Sequence, residues 1–212
     1  MKKRYWLLTF IIFLGWLFGR SCAVNVSQDA IRRVNLYYGV EVEEICKEIG
    51  MPAAYFKALI ILECSAKKNP PSRYEHHVFE KLRAVKNGRI KSYSGIRKAD
   101  LEDYSDQTIK QLATSWGALQ LMGYNCLKLN ISIDELRGSN SLRHSIIWCK
   151  KNYGTYLKNK DFRNAFHIHN TGKPHPLFWV AQTHDPAYVS RGIAYANAMG
   201  VQRNTITTIL CL

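Results

Sequence analysis

The chain has no pair of cysteines at CxxC spacing, no segment of low complexity and no internal repeat. The first absence argues against a structural zinc site. The other two leave a single globular domain as the expected organisation. Acidic residues are scarce: 16 Asp and Glu stand against 30 Lys and Arg, a formal net charge of +14 over 212 residues. Such a surface suits a polyanion. The basic residues are scattered, however, with no arginine-rich helix and no zinc-finger spacing, so nucleic acid is not the expected partner. Also missing is an uninterrupted apolar run of the roughly 20 residues that a spanning helix needs.

What the N-terminus does have is the three-part layout of a secretory signal peptide. Lys2, Lys3 and Arg4 precede the apolar run Trp6 to Phe18, and Ser21-Cys22-Ala23 supplies small residues for cleavage. Residues 1–23 are therefore read as a signal for export, and the chain would meet a membrane only through that segment if it were left uncleaved. Removing Lys2, Lys3, Arg4 and Arg20 lowers the formal charge from +14 to +10. Five cysteines would remain (Cys46, Cys64, Cys126, Cys149 and Cys211). That odd number allows up to two disulfides and leaves at least one thiol.

Hydrophobic residues make up 47% of the chain, with 5 Trp, 12 Tyr and 8 Phe, enough for one substantial core. The apolar periodicity is mostly helical. It predicts short helices over Gln28 to Tyr38 and Val42 to Ile49, ended near Gly39 and Gly50. Pro52 then sits where a helix starts, and Ala53 to Cys64 follows with only Lys57 and Glu63 charged. A helix apolar on nearly every side belongs in the middle of a core. Lys67 to Asp100 reads as loops with a hairpin near Asn87-Gly88. Further helices are predicted over Asp106 to Thr114, Ala118 to Leu129, Ile133 to Leu136, Ser141 to Leu157, Asp161 to Asn170 and Tyr188 to Met199. Pro174 to Pro186 is a loop, and Asn204 to Leu212 is a tail strand or extended cover. The fold class is mainly α: a helical domain around a central buried helix, with a small irregular or hairpin lobe inserted after it.

Glu63 is the residue of chemical interest. It follows Leu59 and Ile60 by four and three residues, which puts its carboxylate on a face that must be buried. An ionised carboxylate is costly to bury, so such a site favours the protonated form, as a general acid for glycoside cleavage requires. The competing reading is a carboxylate on the frayed last turn that turns to water. Arg73-Tyr74-Glu75-His76-His77 is a second polar cluster in a segment expected to be loop. Adjacent histidines do not point the same way on a helix or strand, so surface or hinge structure is the stronger reading than a metal site. Cys64 as a nucleophile would need a histidine beside it. Nothing in the sequence supplies one, and a buried inert thiol is expected.

Three segments together resemble the bacterial N-acetylmuramidase family of the lysozyme-like superfamily. Ile60-Ile61-Leu62-Glu63-Cys64-Ser65 is similar to the catalytic helix end of that family. Tyr74-Glu75-His76-His77-Val78-Phe79 resembles its Phe-Glu-Arg-His-x-Phe segment. Thr114 to Asn125, reading Thr-Ser-Trp-Gly-Ala-Leu-Gln-Leu-Met-Gly-Tyr-Asn, is similar to its Ser-Trp-Gly-x-x-Gln-x-Met-Gly-x-Asn stretch and to the Gly-Leu-Met-Gln segment of lytic transglycosylases. Asn170-Thr171-Gly172 and Asp185 to Tyr188 resemble its late elements, so the likeness spans residues 50 to about 198. Cys64 stands where the family has Ser, His76-His77 replaces Arg-His, and His169-Asn170 replaces Tyr-Asn.

The resemblance implies an α+β lysozyme-like domain over residues 24–212. It implies an exported enzyme of the periplasm or cell wall that cleaves the β-1,4 bond between N-acetylmuramic acid and N-acetylglucosamine in peptidoglycan, with no cofactor and no metal. Glu63 would be the acid and Glu75 the candidate second carboxylate. Ser115, Gly117, Gln120, Tyr124, Asn170 and Tyr188 would bind the glycan, Gly117 by letting the backbone approach it and Gln120 through its amide. A lytic transglycosylase would use Glu63 alone, closing a 1,6-anhydro ring. A protein of another class, binding or assembling the wall without catalysis, is the remaining alternative.

Overall fold

The computed structural model describes residues 25–177 and 180–209. The expected signal segment and Cys211 lie outside them. Among the described residues, no helix is long and apolar enough to cross a membrane.

The protein is mainly helical with two small sheets. Helix α1 (Gln28–Ile49) opens on Ser27, whose side chain accepts from the Ala30 amide, and closes on Gly50 in the left-handed conformation. It runs unbroken through Gly39, where the sequence suggested two helices. Val34, Tyr38 and Val42 are all buried. Their packing outweighs the roughly 1 kcal/mol that a mid-helix glycine costs. Helix α2 (Ala53–Cys64) is buried over nearly its whole surface, as its composition predicts. Its one buried cation, Lys57, donates to Glu43 Oε1 at 2.6 Å and Asn35 Oδ1 at 2.8 Å on α1.

After α2 the chain enters a second lobe. Strand β1 (Arg73–Tyr74) leads into α3 (His76–Lys86), a helix where loop was expected. Its stripe of Val78, Leu82 and Val85 is buried, although the charges between those residues mask the period. The hairpin lies at Ser94-Gly95 rather than Asn87-Gly88, joining β2 (Ser92–Tyr93) to β3 (Ile96–Arg97). Both turn residues have positive φ, 50° and 82°, which matches the twist of a tight hairpin. A short 3-10 turn (Lys98–Asp100) precedes α4 (Asp106–Leu112).

The predicted helix Ala118 to Leu129 is instead a β-turn unit followed by one short helix. Strand β4 (Thr114–Trp116) pairs antiparallel with β1, Arg73 opposite Ser115, and with β5 (Leu121–Met122), Ser115 opposite Met122. Only then does α5 (Asn125–Leu129) begin. Gly117 and Gln120 have φ of 70° and 46°, which no helix accommodates. Gly123 lies so close to α4 that a Cβ there would meet the Gln111 carbonyl oxygen at 2.3 Å.

Helices α6 (Ile133–Arg137), α7 (Ser141–Lys158) and α8 (Phe162–Thr171) follow, then α9 (Tyr188–Ile209) after the loop. Helix α9 covers Asn204 to Ile209, where a tail strand or extended cover was expected, and the rest of that tail lies outside the described residues. One core joins α1, α2, α7, α8 and α9, and a second fills the lobe of α3 to α6 and the sheets. Trp148 packs against both. Cys64, Cys126 and Cys149 are buried free thiols, so none takes part in the disulfides the cysteine count allowed.

Candidate functional site

Glu63 sits on the last turn of α2, where the helix ends abruptly. Ser65 and Ala66 both have φ of 54°, and the Ser65 amide donates back to Ile61 at 3.0 Å. Two successive non-glycine residues in the left-handed region are uncommon and strained. The turn leaves the Glu63 side chain 19% exposed, neither sealed in the core nor free in solvent.

One side chain holds its carboxylate and a second stands beside it. The Tyr188 hydroxyl, from the start of α9, donates to Glu63 Oε1. Burial, and then the adjacent carboxylate, push the Tyr188 phenol well above its usual pKa, so it remains a donor. His169 from α8 places Nε2 3.7 Å from the same oxygen, with only 8% of its side chain exposed. Burial lowers the His169 pKa, opposed by Glu63 and by a hydrogen bond to the Leu119 carbonyl.

Behind His169 runs a buried polar chain. The Tyr55 hydroxyl of α2 donates to the Tyr153 hydroxyl at 3.4 Å, and Tyr153 lies 2.8 Å from His169 Nδ1. A neutral imidazole has one N–H. With Nδ1 accepting from Tyr153, that N–H is on Nε2, directed at Leu119 and Glu63. Helix α7 departs from helical geometry at Tyr153, beside Gly154.

Glu63 occupies the middle of a groove between the two lobes, made of three adjoining cavities. The central one, about 230 Å³, is lined by Glu63, Arg73, Ser115, Gln120, His169 and Asn170, among others. On one side a space of about 710 Å³ adds Glu75, Asp185, Tyr188 and Arg191. On the other a space of about 640 Å³ adds Tyr93, Tyr124, Lys128, Trp148 and Asn152. Asn170 borders all three and is exposed.

The structure thus brings Glu63, Glu75, Ser115, Gln120, Tyr124, Asn170 and Tyr188 to one groove. The Gln120 amide is engaged within the protein. Its Oε1 accepts from Ser115 Oγ at 2.9 Å, and its Nε2 donates to the carbonyls of Gly117 at 2.9 Å and Pro71 at 3.2 Å. Ser115 is spent on the same knot, its hydroxyl also 3.3 Å from the Arg73 carbonyl. Gly117 lies outside the groove lining. A Cβ there would meet Ser141 Oγ at 2.3 Å, so the close approach it permits is to α7. Glu75 precedes α3, with its carboxylate 2.6 Å from Arg73 Nε and 3.6 Å from His77 Nδ1. Trp116 is not in the groove either: Nε1 donates to the Gln111 carbonyl at 3.0 Å, and Arg137 lies over its ring.

Among the described residues no histidine partners Cys64. Its thiol donates to the Ile60 carbonyl at 3.3 Å, and burial raises its pKa. Reading the sequence by pattern missed His169, Tyr153 and Tyr55 as one unit. The only available signal was His169 standing where the resemblance expects tyrosine.

Comparison with models of known protein families, with curated proteins and with solved structures gives no match.

Proposed function

We propose that the protein is an exported glycosidase of the lysozyme-like type that cleaves the bond between N-acetylmuramic acid and N-acetylglucosamine in peptidoglycan, with Glu63 as general acid. The observation that carries this reading is a carboxylate, largely enclosed, bonded by Tyr188 and flanked by His169, on the central of three adjoining cavities. Clefts with a few convergent polar groups are where ligands bind, and a row of adjoining cavities suits a polymer.

In this scheme Glu63 gives its proton to the bridging oxygen as the C–O bond breaks, and an oxocarbenium-like sugar develops. The glycosidic electron pair leaves with the departing alcohol. Glu63, now a carboxylate, is stabilised by the Tyr188 hydroxyl and the His169 N–H. Hydrolysis follows if a water adds to the anomeric carbon and loses its proton to a carboxylate. Glu75, which borders the same 710 Å³ space as Glu63, is the candidate we assign to this step.

Transglycosylation is the second reading, favoured by the pairing of Glu75 with Arg73. There the muramic acid 6-hydroxyl attacks the anomeric carbon and returns its proton to Glu63, so one carboxylate suffices.

Digestion of purified peptidoglycan, with fragments identified by mass spectrometry, tests the reading. Reducing N-acetylmuramic acid ends mean hydrolysis, and 1,6-anhydro ends mean transglycosylation. Equal release by Glu63→Gln, or no release by the native chain, overturns catalysis and leaves a wall-binding protein.

A further inference from the structure

The two arms of the groove differ in charge. In the arm that contains Glu75, each arginine faces a carboxylate: Arg73 pairs with Glu75 and Arg191 with Asp185. Among the described residues, the arm beyond Gln120 has no Asp or Glu in its lining, and Lys128, whose pKa partial burial lowers, is its only Lys or Arg. The other titratable residues there are His169, which burial holds neutral, and the phenols Tyr93 and Tyr124.

Lys128 is exposed and lies along the aromatic wall of this arm. Its Nζ lies 5.4 Å from the centre of the Tyr124 ring, and its stem passes over the hairpin turn, with Cε 3.9 Å from where a Gly95 Cβ would be. Tyr124 is itself packed edge-on against Tyr93, ring centres 6.0 Å apart. Among the described residues no carboxylate pairs with Lys128. A cation over an aromatic ring, in a cavity that amide side chains also line and no described carboxylate does, is complementary to an acidic group on an otherwise neutral ligand.

We propose that Lys128 forms a subsite for a carboxylate borne on a sugar of the bound strand, so that this arm of the groove takes the acidic residues of the glycan. The proposal rests on the glycan-cleaving reading of the same groove and adds which sugars it selects. The acid-free arm sets the direction of the strand: the muramic acid next to the cleaved bond lies on the Lys128 side of Glu63, and the arm with Glu75 and Asp185 takes the neutral N-acetylglucosamine beside that bond. Two sources carry this chemistry in the proposed substrate, the lactyl group of muramic acid and the peptide attached to it.

Binding to the full chain carrying Glu63→Gln, measured by calorimetry, tests the subsite without turnover. The ligands are chitotetraose, which has no carboxylate, a peptide-free tetrasaccharide of alternating N-acetylglucosamine and N-acetylmuramic acid, and its peptide-bearing form. Adding Lys128→Gln is expected to weaken the acidic ligands roughly 5- to 20-fold and leave chitotetraose unchanged, while Lys128→Arg retains the preference. The preference should shrink with added salt. A loss confined to the peptide-bearing form assigns the subsite to the peptide; a loss for both assigns it to the lactyl group. Equal weakening of all three ligands, no weakening, or no binding of any overturns the proposal. Peptidoglycan release by the native chain is measured in parallel. Lys128-dependent binding without release upholds the subsite and sinks the glycosidase reading; release without a Lys128 effect does the reverse.

Discussion

The chain of hydroxyls behind Glu63 makes Tyr153→Phe an informative perturbation. Phenylalanine fills the same space, so the change removes one oxygen and leaves no cavity. That oxygen sits 2.8 Å from His169 Nδ1 and 3.4 Å from the Tyr55 hydroxyl, with Tyr153 buried. Its loss strands a buried imidazole acceptor, which costs about 1–3 kcal/mol. The Tyr55 contact is long and adds little. The Cys149 thiol, 3.9 Å from the same nitrogen, offers only a weak replacement donor. We expect a loss near 2 kcal/mol, or roughly 4–8 °C in Tm for a domain of this size. Tyr55→Phe should cost well under half as much, because it removes a donor and strands no buried one. Urea unfolding gives the ordering, and nitrogen NMR of the imidazole gives the tautomer. His169 should carry its proton on Nε2 in the native protein and lose that preference in Tyr153→Phe. If the two variants are equally stable, or if native His169 is protonated on Nδ1, the chain of donors argued here is wrong.

His169 has a lowered pKa in the folded state, so its contribution to stability is whole above the unfolded histidine value of about 6.5. It is lost as pH falls from there toward the folded value, by up to about 1.4 kcal/mol per pH unit; His169→Gln should flatten that limb of stability against pH. Glu63→Gln should keep the fold, by circular dichroism and urea midpoint, while lowering peptidoglycan release by about 10²–10⁴. Gly123→Ala would force a Cβ into the Gln111 carbonyl and should destabilise by about 1–3 kcal/mol or prevent folding, whereas Gly88→Ala meets no atom within 4 Å and pays only for its positive φ. Burial pushes the thiols of Cys126 and Cys149 up to about 11 and about 12. Neither should react with iodoacetamide at pH 8 until the protein is unfolded, and labelling mapped by mass spectrometry checks this.

Local chemistry alone carried much of the fold. The apolar run from Ala53 to Leu62 needs a central helix because no surface could expose it, and that helix is the core of the larger lobe. Ser27, Ser105 and Ser132 each cap a helix through their own hydroxyls. Where sequence reading misplaced elements, non-local contacts had decided. Gly39 stays helical because α2 packs beside it, and Gly117, Gln120 and Gly123 bend the chain because α4 and α7 leave no room for a helix there. A carboxylate at position 63 on an apolar face was also legible, since helical spacing fixes direction from residue numbers.

Its neighbours were not legible in the same way. Tyr188 is 125 residues from Glu63, and Tyr153 is 98 from Tyr55, with no periodicity to link them. They meet only because α9, which begins at Tyr188, packs along α2, and because Tyr153 on α7 reaches Tyr55 across the core. Nor does the residue type of Gln120 say whether its amide faces a ligand or closes a turn; the positions of Pro71, Gly117 and Ser115 decide that. The sequence determined by itself which helix is buried and which face its one acid occupies, because those follow from spacing along one element. Only the tertiary structure decided what touches that acid, because hydrogen-bond partners are set by packing between elements distant in the chain.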